Sequence, residues 1–257
     1  VLSRIAPVSD GGGIKLNVYG RGKTGKTRLA CTFPKPMLLI GTEDGTKSVQ
    51  NVKGVDFVRL NKSDELDDIA GMLRGGSKYV SVALDTAGGL QDLILKEILG
   101  LDDVPIQRSW GMAQREHWMT CGAQTKERLR SLLDLSDRVG MNVCIIAHER
   151  NFNEDQNSEI MIPSIGAALT PTAAAWLNGA CDYICQAFIK EETVTKMHKV
   201  GTTETKLTSK TGKVIYCLRT GPHPNYLTGF RLPPGFKLPD EIVDPSFDKI
   251  LAVIQGK

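Results

Sequence analysis

The chain has no C-x-x-C pair, only four histidines, and no run close to the 18 apolar residues that a membrane-spanning helix needs. Each shortage removes a class of function. Cys31, Cys121, Cys144, Cys181, Cys185 and Cys217 are scattered, several of them within apolar runs, as reduced core residues of a cytoplasmic protein are. Cys181 and Cys185 could be half of a metal site, but no second pair or histidine cluster completes it. The first residues, Val1 to Gly13, carry one arginine, one proline and three glycines but no apolar segment of the kind that directs export. Secretion and membrane spanning are therefore not expected, and the cytoplasm is the expected compartment. An excess of one charge is also missing: 32 Lys and Arg against 29 Asp and Glu leave a net +3, too mild to select a nucleic-acid partner by itself. No internal repeat or low-complexity tract interrupts the 257 residues, a length that suits one substantial α/β core with small additions.

The clearest feature that is present runs from Ile14 to Thr27. It reads as an apolar strand, a glycine-rich turn and a helix start, and it matches G-x-x-x-x-G-K-[ST] at Gly20, Gly25, Lys26 and Thr27. Along Gly20-Arg21-Gly22-Lys23-Thr24-Gly25-Lys26-Thr27 a phosphate chain can lie against successive backbone N–H groups, because glycine brings no Cβ and reaches positive φ cheaply. A helix beginning near Lys26 would turn its free N–H groups and positive dipole end toward that anion. Lys26 is then placed to reach the β- and γ-phosphates of ATP, and the Thr27 hydroxyl to hold Mg²⁺.

The rest alternates strand and helix. Phe33-Pro34-Lys35-Pro36 stops the first helix, and Met37–Gly41 reads as a buried strand ending in Thr42-Glu43-Asp44-Gly45, where an open parallel sheet carries its ligand loops. Asp56–Leu60 is a strand, Ser63–Arg74 a helix, Tyr79–Asp85 a strand ending in an acid, and Leu90–Leu99 a helix. A long helix is read over Trp110–Val139, a buried strand over Met141–Ala147, and a loop over 149–170. A short helix opens at Thr170-Pro171-Thr172, Asp182–Ile189 is a strand, and Thr193–Arg219 alternates as an antiparallel hairpin or meander does. A closing helix is read from Asp244-Pro245-Ser246-Phe247, with proline at its first position, to Gly256. The organisation expected is a flexible arm over residues 1–13 and one ATPase domain over 14–257, with a β-rich extension at 190–243 and a helix at 244–256. The rhythm means a mostly parallel sheet covered on both faces.

The acid that ends Tyr79–Asp85, roughly sixty residues after the glycine-rich turn, is what a P-loop NTPase uses to hold the water shell of its metal, so Thr27 and Asp85 are the Mg²⁺ pair. Hydrolysis also needs a carboxylate that orients water; Glu43 is the first candidate and Asp44 the second. The same residues spell a GTPase pattern, D-x-x-G at Asp85-Thr86-Ala87-Gly88 and N-K-x-D at Asn61-Lys62-Ser63-Asp64. The guanine reader of a GTPase follows D-x-x-G, however, and here it precedes it, an order that circular permutation does not repair. Asn61 to Asp64 are read as a strand end and helix cap.

The chain resembles the phage-type RecA-core nucleotide-binding proteins, whose best-understood members are ATP-dependent single-strand annealing recombinases related to RecA and RadA. The resemblance runs from about Ile14 to Ile254 and rests on Tyr19-Gly20 through Thr27, on Thr32-Phe33-Pro34-Lys35-Pro36 leading to Thr42-Glu43-Asp44-Gly45, on Val82–Asp85 with Leu90-Gln91-Asp92, on Ile145–Glu149, and on Tyr226 to Arg231. It implies a RecA-like P-loop ATPase fold in which Glu43 activates water, Asp85 serves Mg²⁺ and His148 senses the γ-phosphate. It implies two DNA-facing loops, about Leu101–Arg115 with Arg108, Trp110 and Arg115, and Arg150–Pro171 with Arg150. Partners implied are single-stranded DNA, further copies of the chain in a ring or filament, and a single-strand-binding protein; if the chain is phage-encoded, its place is the bacterial host cytoplasm. Relatives near RadA carry Lys-x-Arg late in the chain, reaching a neighbour's nucleotide; here Gly229-Phe230-Arg231 keeps only the arginine. Separate N-terminal helical and C-terminal domains are not expected. A second function class, a nucleotide-gated assembly module without DNA binding, is suggested by Glu149, Glu154, Asp155 and Glu159 in the second loop.

Overall fold

Strands that read as continuous apolar runs stand in the middle of the sheet, with one strong helix layer over one face and a lighter layer over the other. The computed structural model describes residues 12–43, 49–102, 113–152, 163–200 and 203–257. The arm up to Gly11, Asp44, Arg108, Trp110, Glu154, Asp155 and Glu159 lie outside the described residues. In chain order the elements are β1 (Lys15–Gly20), α1 (Lys26–Ala30), β2 (Met37–Gly41), β3 (Val55–Arg59), α2 (Glu65–Arg74), β4 (Ser81–Asp85), α3 (Ala87–Leu99) and α4 (Arg115–Val139). They continue with β5 (Asn142–Asn151), β6 (Ile165–Ala167), α5 (Pro171–Ala180), β7 (Tyr183–Val200), β8 (Thr203–Arg219), β9 (Gly229–Phe230), β10 (Glu241–Val243) and α6 (Phe247–Ile254).

The strand order is β10-β8-β7-β1-β5-β4-β2-β3, with β6 beside β5 and β9 beside β7. From β3 to β7 neighbouring strands run parallel; β8 and β10 are antiparallel additions. This is an open α/β P-loop NTPase core with antiparallel C-terminal strands. Side chains alternate between its two faces as strand geometry requires. Leu38, Ile40, Val82, Leu84, Val143 and Ile145 join one cluster with the apolar stripes of α2 to α5. Met37, Leu39, Ala83, Cys144 and Ile146 join the other, with Leu29 of α1 and Phe247 and Ile250 of α6. Leu129, Leu132, Leu133 and Leu135 are all buried, as the periodicity of α4 demands. All six cysteines are buried as well. Leu84 is fully buried on a strand with neighbours on both sides, so Leu84→Ala should cost about 2–5 kcal/mol. The check is a lower urea midpoint at unchanged slope. No helix among the described residues is long and apolar enough to cross a membrane.

Several boundaries differ from the sequence reading. The long helix starts at Arg115, not Trp110, because the Gln114 side chain and His117 Nδ1 cap the turn reciprocally; Gln114 N–H donates to that nitrogen at 3.0 Å. Helix α3 starts at Ala87, where Thr86 Oγ1 accepts from Gly89 N at 3.0 Å. The stretch 149–170 is not all loop. Strand β5 continues to Asn151, and β6 returns against it with Glu149 opposite Ala167 and Asn151 opposite Ile165. The strand read as ending at Ile189 runs on to Val200 as one arm of a ribbon with β8, and the irregularity between Glu191 and Thr193 marks the apparent break. Pro245 precedes the last helix instead of opening it; Ser246 is the cap, its Oγ accepting from Lys249 N at 3.4 Å.

Candidate nucleotide site

At the carboxyl ends of β1, β2, β4 and β5, where an open α/β sheet binds its ligands, the backbone leaves a cleft of about 480 Å³. Its wall is the loop Gly22 to Arg28 together with Glu43, Asp85, Thr86, His148 and Tyr216. Register explains the gathering: Gly20 pairs with His148, and Gly41, just before Thr42 and Glu43, pairs with Asp85. The loop itself is sterically specified. A Cβ on Gly20 would sit 2.2 Å from the Ala187 carbonyl oxygen, and Gly25 has φ +84° with the Tyr216 ring against it. Lys23 holds φ 64°, a conformation unusual for a residue with a side chain. Gly22 has open space where a Cβ would go, so nothing nearby demands glycine there.

Inside the loop, Lys26 Nζ donates to the carbonyl oxygens of Gly20 at 2.8 Å and Arg21 at 2.7 Å. Thr24 Oγ1 closes the turn on Arg21 O at 2.9 Å. Burial lowers the pKa of Lys26, and the carboxylates of Asp85, Glu149 and Glu43 oppose that shift. Helix α1 runs only from Lys26 to Ala30, so the field at the loop comes from its own N–H groups more than from a helix dipole.

Thr27 Oγ1 donates to Asp85 Oδ2 at 2.6 Å. Burial raises the pKa of Asp85, while the Thr27 hydroxyl and the Lys26 ammonium hold it down. A hydroxyl and a carboxylate are the hard oxygen donors that suit Mg²⁺, a cation that keeps several waters and uses one or two protein ligands beside substrate phosphates. No group of three or more His, Cys, Asp or Glu able to hold a metal exists among the described residues. Glu43 is placed by a neighbour the sequence reading missed: Thr86 Oγ1 donates to Glu43 Oε1 at 3.3 Å. Thr42 and Thr86 lock the two strand ends, Thr86 N donating to Thr42 Oγ1 at 3.0 Å and Thr42 Oγ1 to Thr86 O at 3.1 Å.

A family model described as an AAA domain matches residues 12–232. The chain belongs to the AAA domain family. No curated protein matches it. Membership makes this AAA domain a P-loop NTPase, and the cleft is where its phosphate loop and acidic strand end meet.

Of the residues read from the sequence, this AAA domain brings Lys26, Thr27, Glu43, Asp85 and His148 to one cleft. Arg21 lies beside it, its Nε donating to Glu149 Oε1 at 2.8 Å. Arg231 is elsewhere. Its guanidinium donates to Asp182 Oδ1 at 2.9 Å and Gly179 O at 2.6 Å, before the first residue of β7 and so at the amino-terminal end of the parallel strands, opposite the cleft. Arg115 is exposed at the start of α4, and Arg150 is exposed with its guanidinium 5.6 Å from the Phe152 ring centroid. The GTPase pattern separates in space: Asn61 to Asp64 follow β3, four strand steps or roughly 19 Å from β1. Ser63 is there tied to Glu97 by its N–H at 2.7 Å.

A polar chain escaped sequence reading altogether. Glu149 accepts from Arg21 and, at 3.2 Å, from Gln186 Nε2; Gln186 Oε1 accepts from Arg219 Nε at 3.3 Å; and the Arg219 guanidinium lies 4.8 Å from the centroids of both Phe188 and Tyr226. These residues come from five separate segments, so no local spacing could have revealed them.

Proposed function

We propose that this chain is a Mg²⁺-dependent ATPase that acts on single-stranded DNA in phage-type recombination, by annealing or strand pairing. The observation that carries the ATPase reading is the convergence of Lys26, Thr27, Asp85, Glu43 and His148 on one cleft. Lys26 leaves its loop carbonyls to neutralise the β- and γ-phosphates. Thr27 and Asp85 are the residues that would hold Mg²⁺, which when bound would offset charge on the phosphate oxygens. Glu43, oriented by Thr86, accepts the proton of the attacking water. His148 reports the γ-phosphate to the second loop, since its carbonyl oxygen already accepts from Ala168 N, within that stretch, at 2.7 Å.

The DNA reading rests on the resemblance to annealing recombinases and gains one support from the geometry. Glu149, counted among the loop acids that would repel phosphate, is neutralised by Arg21. Single-strand affinity should fall with salt and depend little on sequence, and Arg108→Ala should reduce the salt slope by about one. Trp110→Ala should remove roughly 1–3 kcal/mol of stacking, and ATP should bind DNA more tightly to the protein than ADP does. Titration of labelled oligonucleotides across a salt series checks all of this. If no salt-sensitive binding is found but ATP drives oligomers on sizing, the second reading, a nucleotide-gated assembly module, replaces it.

A further inference from the structure

The phosphate loop divides the cleft unevenly. Toward Glu43 lie β5, β4 and β2, three strand steps or about 14 Å from β1; toward Tyr216 lie β7 and β8, two steps or about 10 Å. Glu43, Asp85 and Thr27 lie on the first side, so the reacting end of a nucleotide belongs there and its base leaves toward β8. On that side Tyr216 is half-buried and faces the loop, close enough that a Cβ on Gly25 would stand 2.9 Å from its ring. The Arg28 guanidinium lies 5.6 Å from the ring centroid. Against the ring also lies a small separate hollow lined by Leu29, Ala187, Asp244 and Pro245. The ring is not adrift: Tyr216 pairs with Ile189 on β7, and its carbonyl oxygen accepts from Asp244 N at 2.8 Å.

We infer that Tyr216 and Arg28 form the seat of the nucleotide's base, an inference that rests on the triphosphatase reading of the cleft. A ring face beside a guanidinium offers stacking and cation–π attraction to any base, since every base has a π-face. The seat therefore takes nucleoside triphosphates with weak discrimination among bases, adenine and guanine included. Its ring comes from the C-terminal antiparallel strand and its guanidinium from α1, so β8 completes a nucleotide site that the parallel strands and the phosphate loop begin.

Inorganic tripolyphosphate, which has the phosphates and no base, separates the seat from the loop. Calorimetric titration with ATP, GTP and tripolyphosphate should show that Tyr216→Ala weakens both nucleotides by roughly 5- to 150-fold and leaves tripolyphosphate affinity within twofold. Tyr216→Phe, which keeps the ring, should restore nucleotide affinity. Equal loss for all three ligands would make the ring a support for the loop and overturn the inference, as would unchanged ATP affinity. Wild-type protein that binds tripolyphosphate as tightly as ATP would overturn it too, while leaving the phosphate-loop reading intact. Wild-type protein that binds none of the three would overturn both.

Discussion

Glu43→Gln is expected to keep ATP bound and to slow its hydrolysis by about 10²–10⁴-fold, the range a positioned proton acceptor supplies. Glutamine preserves the shape and can still accept from Thr86 Oγ1, so the strand end and the Thr42–Thr86 lock should survive. What disappears is the negative oxygen able to take a proton from water. Phosphate release at saturating ATP measures the rate, and titration with ATP measures binding. Turnover equal to wild type would remove Glu43 from the reaction and hand the role to another carboxylate.

Lys26→Ala should be more severe in a different way, with ATP affinity and turnover both lost. The ammonium is buried and is held by two loop carbonyl oxygens, the Gly20 and Arg21 acceptors. Removing it leaves the Gly20 and Arg21 carbonyl oxygens facing the cleft, which replaces attraction for an anion with repulsion. A lost electrostatic donor of this kind costs about 10²–10³-fold in rate where binding persists at all. The decisive comparison is tripolyphosphate binding by the two variants: retained in Glu43→Gln, abolished in Lys26→Ala. Wild-type affinity in the alanine variant would show that the phosphate lies elsewhere.

The parts of the molecule legible in the sequence are those written in short range. The strand, glycine turn and Lys-Thr of the phosphate loop occupy fourteen consecutive positions from Ile14 to Thr27. Apolar runs such as Met37–Gly41 and Tyr79–Asp85 announce central strands, because a strand covered on both faces has no polar side to display. Asp85 and Glu43 were readable since each ends such a run. Boundaries were harder where a side chain decides them: Gln114 with His117, Thr86, and Ser246 each set a helix start that periodicity alone misplaced. The ribbon of β7 and β8 was read in two pieces because its irregularity at Glu191 and Thr193 looks like a turn from within one strand. Tyr216 and the Arg21–Glu149–Gln186–Arg219 chain were invisible, because what they do depends on β7 and β8 joining the sheet beside β1, a fact that no window of sequence contains.

The ribbon has a consequence of its own. From Thr193 to Val200 and from Thr203 to Lys210 the two arms pair with each other, and no other strand pairs with them among the described residues. Two strands alone are at best marginally stable in water. The ribbon is therefore expected to open on its own free-energy scale, below that of global unfolding, so that its backbone amides should exchange with solvent before those of the sheet. Residues Gln186 to Ile189 and Tyr216 to Arg219, at its base, belong to the cooperative unit of the core. Hydrogen exchange should then resolve two stabilities in the chain, with the boundary between them within a few residues of Tyr216.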